Sequence, residues 1–302
     1  MGKATREAYG NALARIGKEN TNIIVLDADL SKSTKTDTFK AVCPERFFNV
    51  GIAEQNLISV GAGLAAAGKI PFVSSFSMFA TGRAFEQIRN AVCYPKLNVK
   101  VCATHAGITV GEDGATHQSL EDISCMRTLP NMTVVVPADE RETEAVIEWA
   151  ASYNGPVYVR LGRAGVDDVT TEGYSFVPGK STILVDGSDA TIIACGALVG
   201  PAVEASKTLS ESNISARVIN MASIKPIDAE AIIKAAAETG AIVTAEEHNI
   251  IGGLGSAVSE VVVSNKPVPM EFVGVQDTFG ESGTPKELMA KYGLTANDIV
   301  EA

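Results

Sequence analysis

The chain has 302 residues, of which 46% are hydrophobic and 20% are charged, and its formal net charge is -11. A chain of this size and apolar content can bury a core of its own, most simply as two domains. The excess of acidic residues disfavours nucleic acid and anionic membrane surfaces as partners, so a phosphorylated substrate would need a local group of basic residues.

Membrane insertion and a disulfide framework are both disfavoured by the sequence. No apolar run approaches the ~18 to 20 residues of a membrane span, and the first 20 residues lack the apolar centre of a signal peptide. We therefore expect no membrane partner and a cytoplasmic location. The five cysteines never form a CxxC pair, which favours buried thiols over disulfides or a zinc site.

Short apolar runs alternate with longer segments of helical period in the first half of the chain. This rhythm predicts parallel sheets covered by helices, and hence the α/β class. Strands are predicted at residues 22–27, 71–75, 99–104, 132–136 and 157–160. Helices are predicted at residues 53–68, from the second strand through residue 90, and at 139–151.

A stretch rich in Gly, Asp and Thr at residues 162–179 has the composition of a connecting segment. After it the rhythm restarts, with strands predicted at 190–195, 216–220 and 241–246 and helices near 202–210 and 229–238. We therefore predict two α/β domains with mainly parallel sheets. Their bounds are residues 1–165 and 183–302, joined by a linker at 166–182.

The first two candidate motifs are ambiguous when each is taken alone. Glu54 opens a predicted helix within GIAEQN at residues 51–56, where a carboxylate also suits the helix dipole. Phe76 and Phe79 follow a predicted strand at the end where α/β sheets bind ligands. Two aromatics at this spacing are, however, common in cores.

The segment at residues 104–118 favours a functional interpretation. It collects two of the three histidines, His105 and His117, with two acids and three glycines in one irregular loop, which packing does not require. The histidine spacing and the lack of thiolates do not match a familiar zinc pattern, so we expect no metal site in this chain. Arg160 and Arg163 lie at the end of the predicted strand at residues 157–160. They suit an anion, although they could also be solvated surface groups.

Together and in this order, these segments resemble the pyrimidine-binding and C-terminal domains of the transketolase family over essentially the whole chain. The specific signals are GIAEQN at residues 51–56 and GEDG-x-THQ at residues 111–118. The resemblance implies an enzyme that uses thiamine diphosphate to move a two-carbon ketol unit from a ketose phosphate to an aldose phosphate.

The resemblance also implies how this chain would hold the cofactor. Glu54 matches the catalytic glutamate that hydrogen-bonds N1′ of the aminopyrimidine and so favours the imino tautomer that removes the C2 proton. Phe76 and Phe79 match the aromatic wall on which the aminopyrimidine stacks. Asp29 matches an aspartate near the thiazolium, and it could equally be a loop cap after the first strand.

The resemblance also implies which residues bind the substrate. His105, Asp113 and His117 match residues that line the sugar channel, and the two histidines are also expected to act in catalysis. Ser33 and Arg163 match contacts to the substrate phosphate, for which a planar guanidinium is well suited.

One part of the family pattern is missing from this chain. Family members hold the diphosphate through Mg²⁺, or Ca²⁺, bound by a GDG motif and an asparagine, and no GDG occurs here. The resemblance therefore implies a separate N-terminal subunit that carries the GDG motif. An α₂β₂ assembly acting on sugar phosphates is expected, with the cofactor between subunits.

Several departures keep other interpretations open. Gln55 and Ala106 stand where many transketolases have histidine and aspartate, and GIAEQ with THAG also occurs in 1-deoxyxylulose-5-phosphate synthases. That synthase is the runner-up, followed by the β subunit of a two-oxoacid dehydrogenase. A non-catalytic partner protein is the alternative from another class. His248 falls in the C-terminal domain, where we expect a structural or interface role.

Overall fold

The structure is a computed structural model that describes residues 2–302. Two mainly parallel sheets covered by helices build it, which confirms the α/β class. Within the described residues, no helix combines the length and the apolar character that crossing a membrane would take.

In the first half of the chain, the described residues from 2 onward form six strands and seven α-helices. The strands are β1 (Ile23–Asp27), β2 (Phe47–Asn49), β3 (Ile70–Ser74), β4 (Lys100–Ala103), β5 (Thr133–Val135) and β6 (Val157–Arg160). The helices are α1 (Thr5–Glu19), α2 (Ser31–Thr34), α3 (Asp37–Val42), α4 (Glu54–Ala66), α5 (Phe85–Gln87), α6 (Asp122–Thr128) and α7 (Glu140–Ser152). Single 3₁₀ turns occur at Pro44–Arg46 and Ile108–Val110.

The second half of the chain repeats the pattern on a smaller scale. Its strands are β7 (Thr182–Val185), β8 (Ala190–Ala194), β9 (Ala216–Asn220), β10 (Ser223–Lys225), β11 (Ile242–Asn249) and β12 (Met270–Val275). Its helices are α8 (Val199–Glu211), α9 (Ala229–Thr239), α10 (Leu254–Asn265), α11 (Pro285–Lys291) and α12 (Ala296–Glu301), with a 3₁₀ turn at Gly196–Leu198.

The two sheets are not strictly separate along the chain. The larger sheet has the order β10-β5-β6-β4-β3-β1-β2, and the smaller has the order β12-β11-β8-β9-β7. Strand β10 comes from the second half of the chain but pairs antiparallel with β5 at the edge of the first sheet. The second half therefore completes the first sheet.

The segment after β3 differs from the continuous helix that its sequence predicts. Two π-helical turns, Met78–Arg83 and Ile88–Cys93, flank the very short helix α5. A π turn inserts one extra residue per hydrogen-bonded ring and is frequent at functional sites. The first of these two turns begins two residues after Phe76. Compared with an α-helix, it changes where the side chains of this segment point.

Helix α4 lies close to the first sheet because small residues face it. Gly61 is the tightest point, since a Cβ there would lie 2.7 Å from Cγ1 of Val73 on β3. Helix α4 begins at Glu54, one residue after the predicted start at residue 53, and Ala53 is its N-cap. This packing brings the Glu54 carboxylate to the carboxyl end of β3.

Candidate functional site

Most of the predicted site residues lie at the carboxyl edge of the larger sheet, where ligands bind in open α/β folds. Strands β3 and β4 run side by side, and one further parallel bridge joins Phe76 to Thr104 beyond their ends. Ser77 N donates to Thr104 O over 2.7 Å, which keeps the two chains together past the sheet. Residues 28 positions apart in sequence thus become neighbours.

Glu54 is a buried carboxylate at the start of α4, with 1% of its surface exposed. Its Oε1 accepts from Ser75 Oγ over 3.2 Å, and its Oε2 accepts from Arg83 Nη1 over 2.7 Å. The Arg83 side chain is 48% exposed and its Cζ lies 4.7 Å from the ring centroid of Phe79. Arg83 therefore contacts both the acid and the aromatic wall.

Four rings form an aromatic cluster beside this carboxylate. Phe76 stacks on His105 with centroids 3.8 Å apart, and Phe79 lies 6.1 Å from Phe76 at an interplanar angle of 15°. His117 meets Phe79 edge-on at 5.2 Å. The structure thus brings together four residues that the sequence separates by up to 41 positions.

His105 is held as a neutral imidazole. Its φ of 56° is unusual for a non-glycine residue, and only 3% of its surface is exposed. Burial, reinforced by the charges of Arg6 and Arg163, lowers its pKa to about 3. Arg6 Nη1 lies 3.3 Å from His105 Nε2, and a guanidinium can only donate, so Nε2 accepts and the proton is on Nδ1 beside Thr104 Oγ1.

Arg6 is a candidate residue that the sequence reasoning missed. It lies in the first turns of α1, and its Nη1 also donates to the backbone oxygen of Ser33 over 3.0 Å. Burial lowers its pKa, as does the nearby charge of Arg163. No local pattern marks it, because its two partners are 27 and 99 residues away.

The loop that contains the GEDG sequence is hydrogen-bonded to Arg163. Arg163 Nη1 donates to Val110 O and, over 2.8 Å, to Glu112 Oε2. Gly111 and Gly114 have φ values of 85° and 73°, which explains glycine at both positions. Asp113 lies exposed at the tip of the loop.

Asp29 has the partners of a loop cap. Its backbone N–H donates to Asn49 Oδ1 over 3.1 Å, and its carboxylate accepts from Asn49 Nδ2 over 2.8 Å. It follows β1 with a φ of 66° and remains exposed. The contacts shown here are those of the capping interpretation, and a role near the thiazolium stays a prediction.

A cleft of about 770 Å³ opens beside Phe79 and Arg83, between the two halves of the chain, and Glu54 lies behind Arg83 outside its lining. Met78, Phe79 and Arg83 line one wall, and Asp277, Thr278 and Phe279 line the opposite wall. Thr116 and Gln118 of the predicted substrate loop complete it. His105, Asp113 and Arg163 lie outside the lining of this cleft.

Arg160 differs from Arg163 despite its proximity in sequence. It is 6% exposed, and its Nε donates to Asp122 Oδ2 over 2.8 Å. Burial alone would lower its pKa, but the charges of Asp122 and Glu247 raise it above the ordinary value. Its Nη2 donates to Glu247 O over 2.8 Å, so Arg160 joins the two halves of the chain.

His248 is also buried at this junction. It has no exposed surface, its Nδ1 lies 2.6 Å from Asn249 O, and its Nε2 accepts from Ser124 N over 3.4 Å. These contacts fix the tautomer with the proton on Nδ1. They also tie β11 to α6 of the first half.

Neither the thiols nor the acids of residues 2–302 are arranged for metal binding. No group of three or more His, Cys, Asp or Glu side chains comes together there in a way that could hold a metal ion. Cys125 is half-buried, and the other four cysteines are buried.

Two family descriptions match the chain. Residues 1–167 match the transketolase pyrimidine binding domain, and residues 179–299 match the transketolase C-terminal domain. A protein of Methanocaldococcus jannaschii, provisionally named transketolase C-terminal section, is 53% identical over 99% of this chain and 95% of its own length. The 6-deoxy-6-sulfo-D-fructose transketolase subunit SqwH of a Clostridium species is 43% identical over 98% of this chain and 92% of its own.

A solved structure has the same fold over the same length. It is described as a split gene transketolase, inactive beta4 tetramer, and it superposes with a TM-score of 0.94 at 58% sequence identity. The match covers 99% of this chain and 97% of that one.

Proposed function

Because the chain belongs to the transketolase family, we propose that it is the C-terminal subunit of a split transketolase. It moves a two-carbon ketol unit from a ketose phosphate to an aldose phosphate, and it is active only with a separate N-terminal subunit. The observation that carries this proposal is the buried Glu54 carboxylate beside the Phe76 and Phe79 rings, at a sheet edge that also gathers Arg6 and Arg163.

The residues present fit the aminopyrimidine end of thiamine diphosphate. A carboxylate at 1% exposure can form a strong hydrogen bond to a ring nitrogen, and the phenyl rings supply a stacking wall. When bound, this cofactor supplies the carbanion chemistry. The diphosphate and its Mg²⁺ or Ca²⁺ are assigned to the partner subunit, whose GDG motif this chain lacks.

Glu54 would hold and exchange a proton at N1′ of the aminopyrimidine. In the free chain both of its oxygens have donors, Ser75 Oγ and Arg83 Nη1. These two bonds leave acceptor sites free on the carboxylate, but the Arg83 guanidinium would compete with the aminopyrimidine for the Phe79 ring. Arg83 is the candidate to move, since it is half exposed and also lies over Phe79.

The substrate phosphate is assigned to the group formed by Arg6, Arg163, Ser33 and His105. Two guanidinium groups close enough to affect one another provide the local positive charge that a chain of net charge -11 otherwise lacks. Neutral His105 adds no charge, and its Nε2 can accept a hydrogen bond from a substrate hydroxyl. His105 and His117, with exposed Asp113, would bind the sugar hydroxyls and act in proton transfer.

The assembly and location remain parts of the proposal. An α₂β₂ heterotetramer would place the cofactor between the two kinds of subunit, and the related split-gene chain is described as an inactive tetramer by itself. We expect the pentose phosphate route or a related sugar-phosphate pathway in the cytoplasm. The Clostridium relative is named for a sulfonated sugar, so the donor sugar is left open.

Co-expression with the GDG-containing partner is the experiment that tests this function. The complex, supplied with thiamine diphosphate and Mg²⁺, should convert fructose 6-phosphate and an aldose phosphate by two-carbon transfer, whereas the isolated chain should not. Release of carbon dioxide from pyruvate would favour the synthase alternative, which GIAEQ and THAG raise. Absence of both reactions in an assembled complex would favour a non-catalytic partner.

A further inference from the structure

The loop at residues 104–118 is held from the second half of the chain. Thr109 N donates to Glu247 Oε1 over 2.7 Å, and Gln118 Nε2 donates to Glu281 O over 2.9 Å. Just beyond the loop, Asn249 N donates to Leu120 O over 2.8 Å. A loop whose side chains face the site on one side is therefore anchored on the C-terminal domain on the other.

Glu247 makes the closest of these contacts. A Cβ at Gly107 would lie 2.2 Å from Glu247 Oε1, so the carboxylate packs directly on the loop backbone and leaves no room for a side chain there. Gly107 also has a φ of 86°, which favours glycine independently. Glu247 is 3% exposed and Thr109 is 6% exposed, so water does not replace the contact.

The Glu247 carboxylate is itself fixed in place. Burial raises its pKa, and the charge of Arg160 opposes that rise. Arg160 Nη2 also binds the Glu247 backbone oxygen. Both the main chain and the side chain of Glu247 are thus tied to the first half of the molecule.

Two hydrogen bonds connect Glu247 with the residues that are proposed to bind the substrate phosphate. Thr109 is the middle residue of the 3₁₀ turn Ile108–Val110, and the last carbonyl of that turn accepts from Arg163 Nη1. Arg163 is one of the two guanidinium groups assigned to the substrate. A displaced turn would therefore displace the anchor of Arg163.

We propose that Glu247 is a positioning residue of the C-terminal domain that sets the grip of Arg163 on the substrate phosphate. This inference rests on the proposed function. It gives the C-terminal domain a part in substrate selection, through the contact of its Glu247 carboxylate with the Thr109 backbone.

Glu246 provides a matched control on the same strand. It is also a buried carboxylate that accepts two backbone N–H groups, Leu254 N over 2.7 Å and Gly255 N over 2.8 Å. These belong to α10 of its own domain and not to the loop. Glu246→Ala therefore removes a comparable contact without touching residues 104–118.

The kinetic test uses the assembled enzyme with two donors. In Glu247→Ala, we expect KM for fructose 6-phosphate to rise about five- to tenfold, as for loss of a hydrogen bond, with little change for hydroxypyruvate. Glu247→Gln should restore most of the loss, because an amide oxygen still accepts from Thr109 N. Glu246→Ala should leave the ratio of the two KM values unchanged. Equal losses for both donors in Glu247→Ala would overturn the proposal.

A second measurement does not depend on activity or on the partner. In the isolated chain, Glu247→Ala should speed amide hydrogen exchange in peptides covering residues 104–118, whereas Glu246→Ala should speed exchange in α10. Unchanged protection of the loop in Glu247→Ala would overturn the inference even if the enzyme were inactive. If the wild-type complex catalysed no two-carbon transfer, that result would instead count against the proposed function.

Discussion

The carboxyl edges of the two sheets carry similar side chains but differ in what surrounds them. At the first edge, Glu54 lies beside Arg83, which is half exposed, and a cleft opens next to them. At the second edge, Glu246, Glu247 and His248 are 1%, 3% and 0% exposed and bind backbone groups. Titratable residues at the end of a parallel strand therefore do not by themselves make a site.

The difference arises from what covers each edge. The loop at residues 104–118 belongs to the first sheet but lies against the second, where its Thr109 N–H is bound by Glu247. The second edge is thereby closed, while the cleft beside Phe79 has no such cover. We expect substitutions at the open edge to change catalysis and substitutions at the closed edge to change stability, except at Glu247, whose contact with Thr109 N also positions the substrate loop.

The largest effect is expected at Glu54. Glu54→Gln keeps the shape but cannot share a proton with N1′, so turnover of the assembled enzyme should fall by about 10² to 10⁴. Cofactor affinity should change much less, because the amide still fills the same space. Proton exchange at C2 of the bound cofactor, followed by NMR, measures the step directly. A wild-type exchange rate in this variant would show that Glu54 has another role.

The buried junction that closes the second edge is tested through the Asp122–Arg160 pair, since Arg160 also donates to Glu247 O. Burial alone would raise the pKa of Asp122, but the charge of Arg160 lowers it below the ordinary value. Asp122→Ala leaves the guanidinium buried and unpaired, so the free energy of unfolding should fall by about 3 to 5 kcal/mol in urea denaturation. Lys180→Ala, which breaks the exposed pair with Glu230, should leave the free energy of unfolding almost unchanged. Similar losses in both variants would contradict the comparison.

Arg163 both binds the loop backbone at Val110 O and is assigned to the substrate phosphate. Its replacement should therefore change the kinetics less than Glu54→Gln does. Arg163→Ala removes a charge-assisted contact worth about 1.5 to 3 kcal/mol, or roughly ten- to a hundredfold in kcat/KM for a phosphorylated donor. Hydroxypyruvate, which has no phosphate, should be nearly unaffected. Equal losses with both donors in steady-state kinetics would mean that the bonds to Val110 and Glu112 are its whole role.

The smallest effect is expected at Arg83, and it has the opposite sign. In the free chain Arg83 binds Glu54 and covers Phe79, the two groups assigned to the aminopyrimidine. Arg83→Gln should therefore lower the Kd for thiamine diphosphate about three- to tenfold, since the ion pair of a half-exposed arginine and a cation–π contact are each worth on the order of 1 kcal/mol. Arg89→Gln, at a nearby exposed arginine, is the control. Weaker cofactor binding in Arg83→Gln would make Arg83 a cofactor contact.

Several elements could be predicted because their signals are local. Strand β6 and strand β9 have the predicted bounds, since their sequences VYVR and ARVIN are short, contain apolar β-branched residues and are buried along their whole length. The short edge strands β2, β7, β10 and β12 were not predicted. Their residues alternate less clearly, and their pairing depends on neighbours far away in the chain.

By itself the sequence determined the α/β class, the start of α4 to within one residue and the motifs that mark the family, because hydrophobic period and motif spacing are properties of adjacent residues. Only the tertiary structure decided that Arg6 meets His105 across 99 residues, and that Arg160 is buried on Asp122 while Arg163 reaches the loop. It also decided that adjacent Glu246 and Glu247 serve different domains. Neighbours on a strand face opposite sides, and what each side meets depends on how distant connections cross the sheet edge.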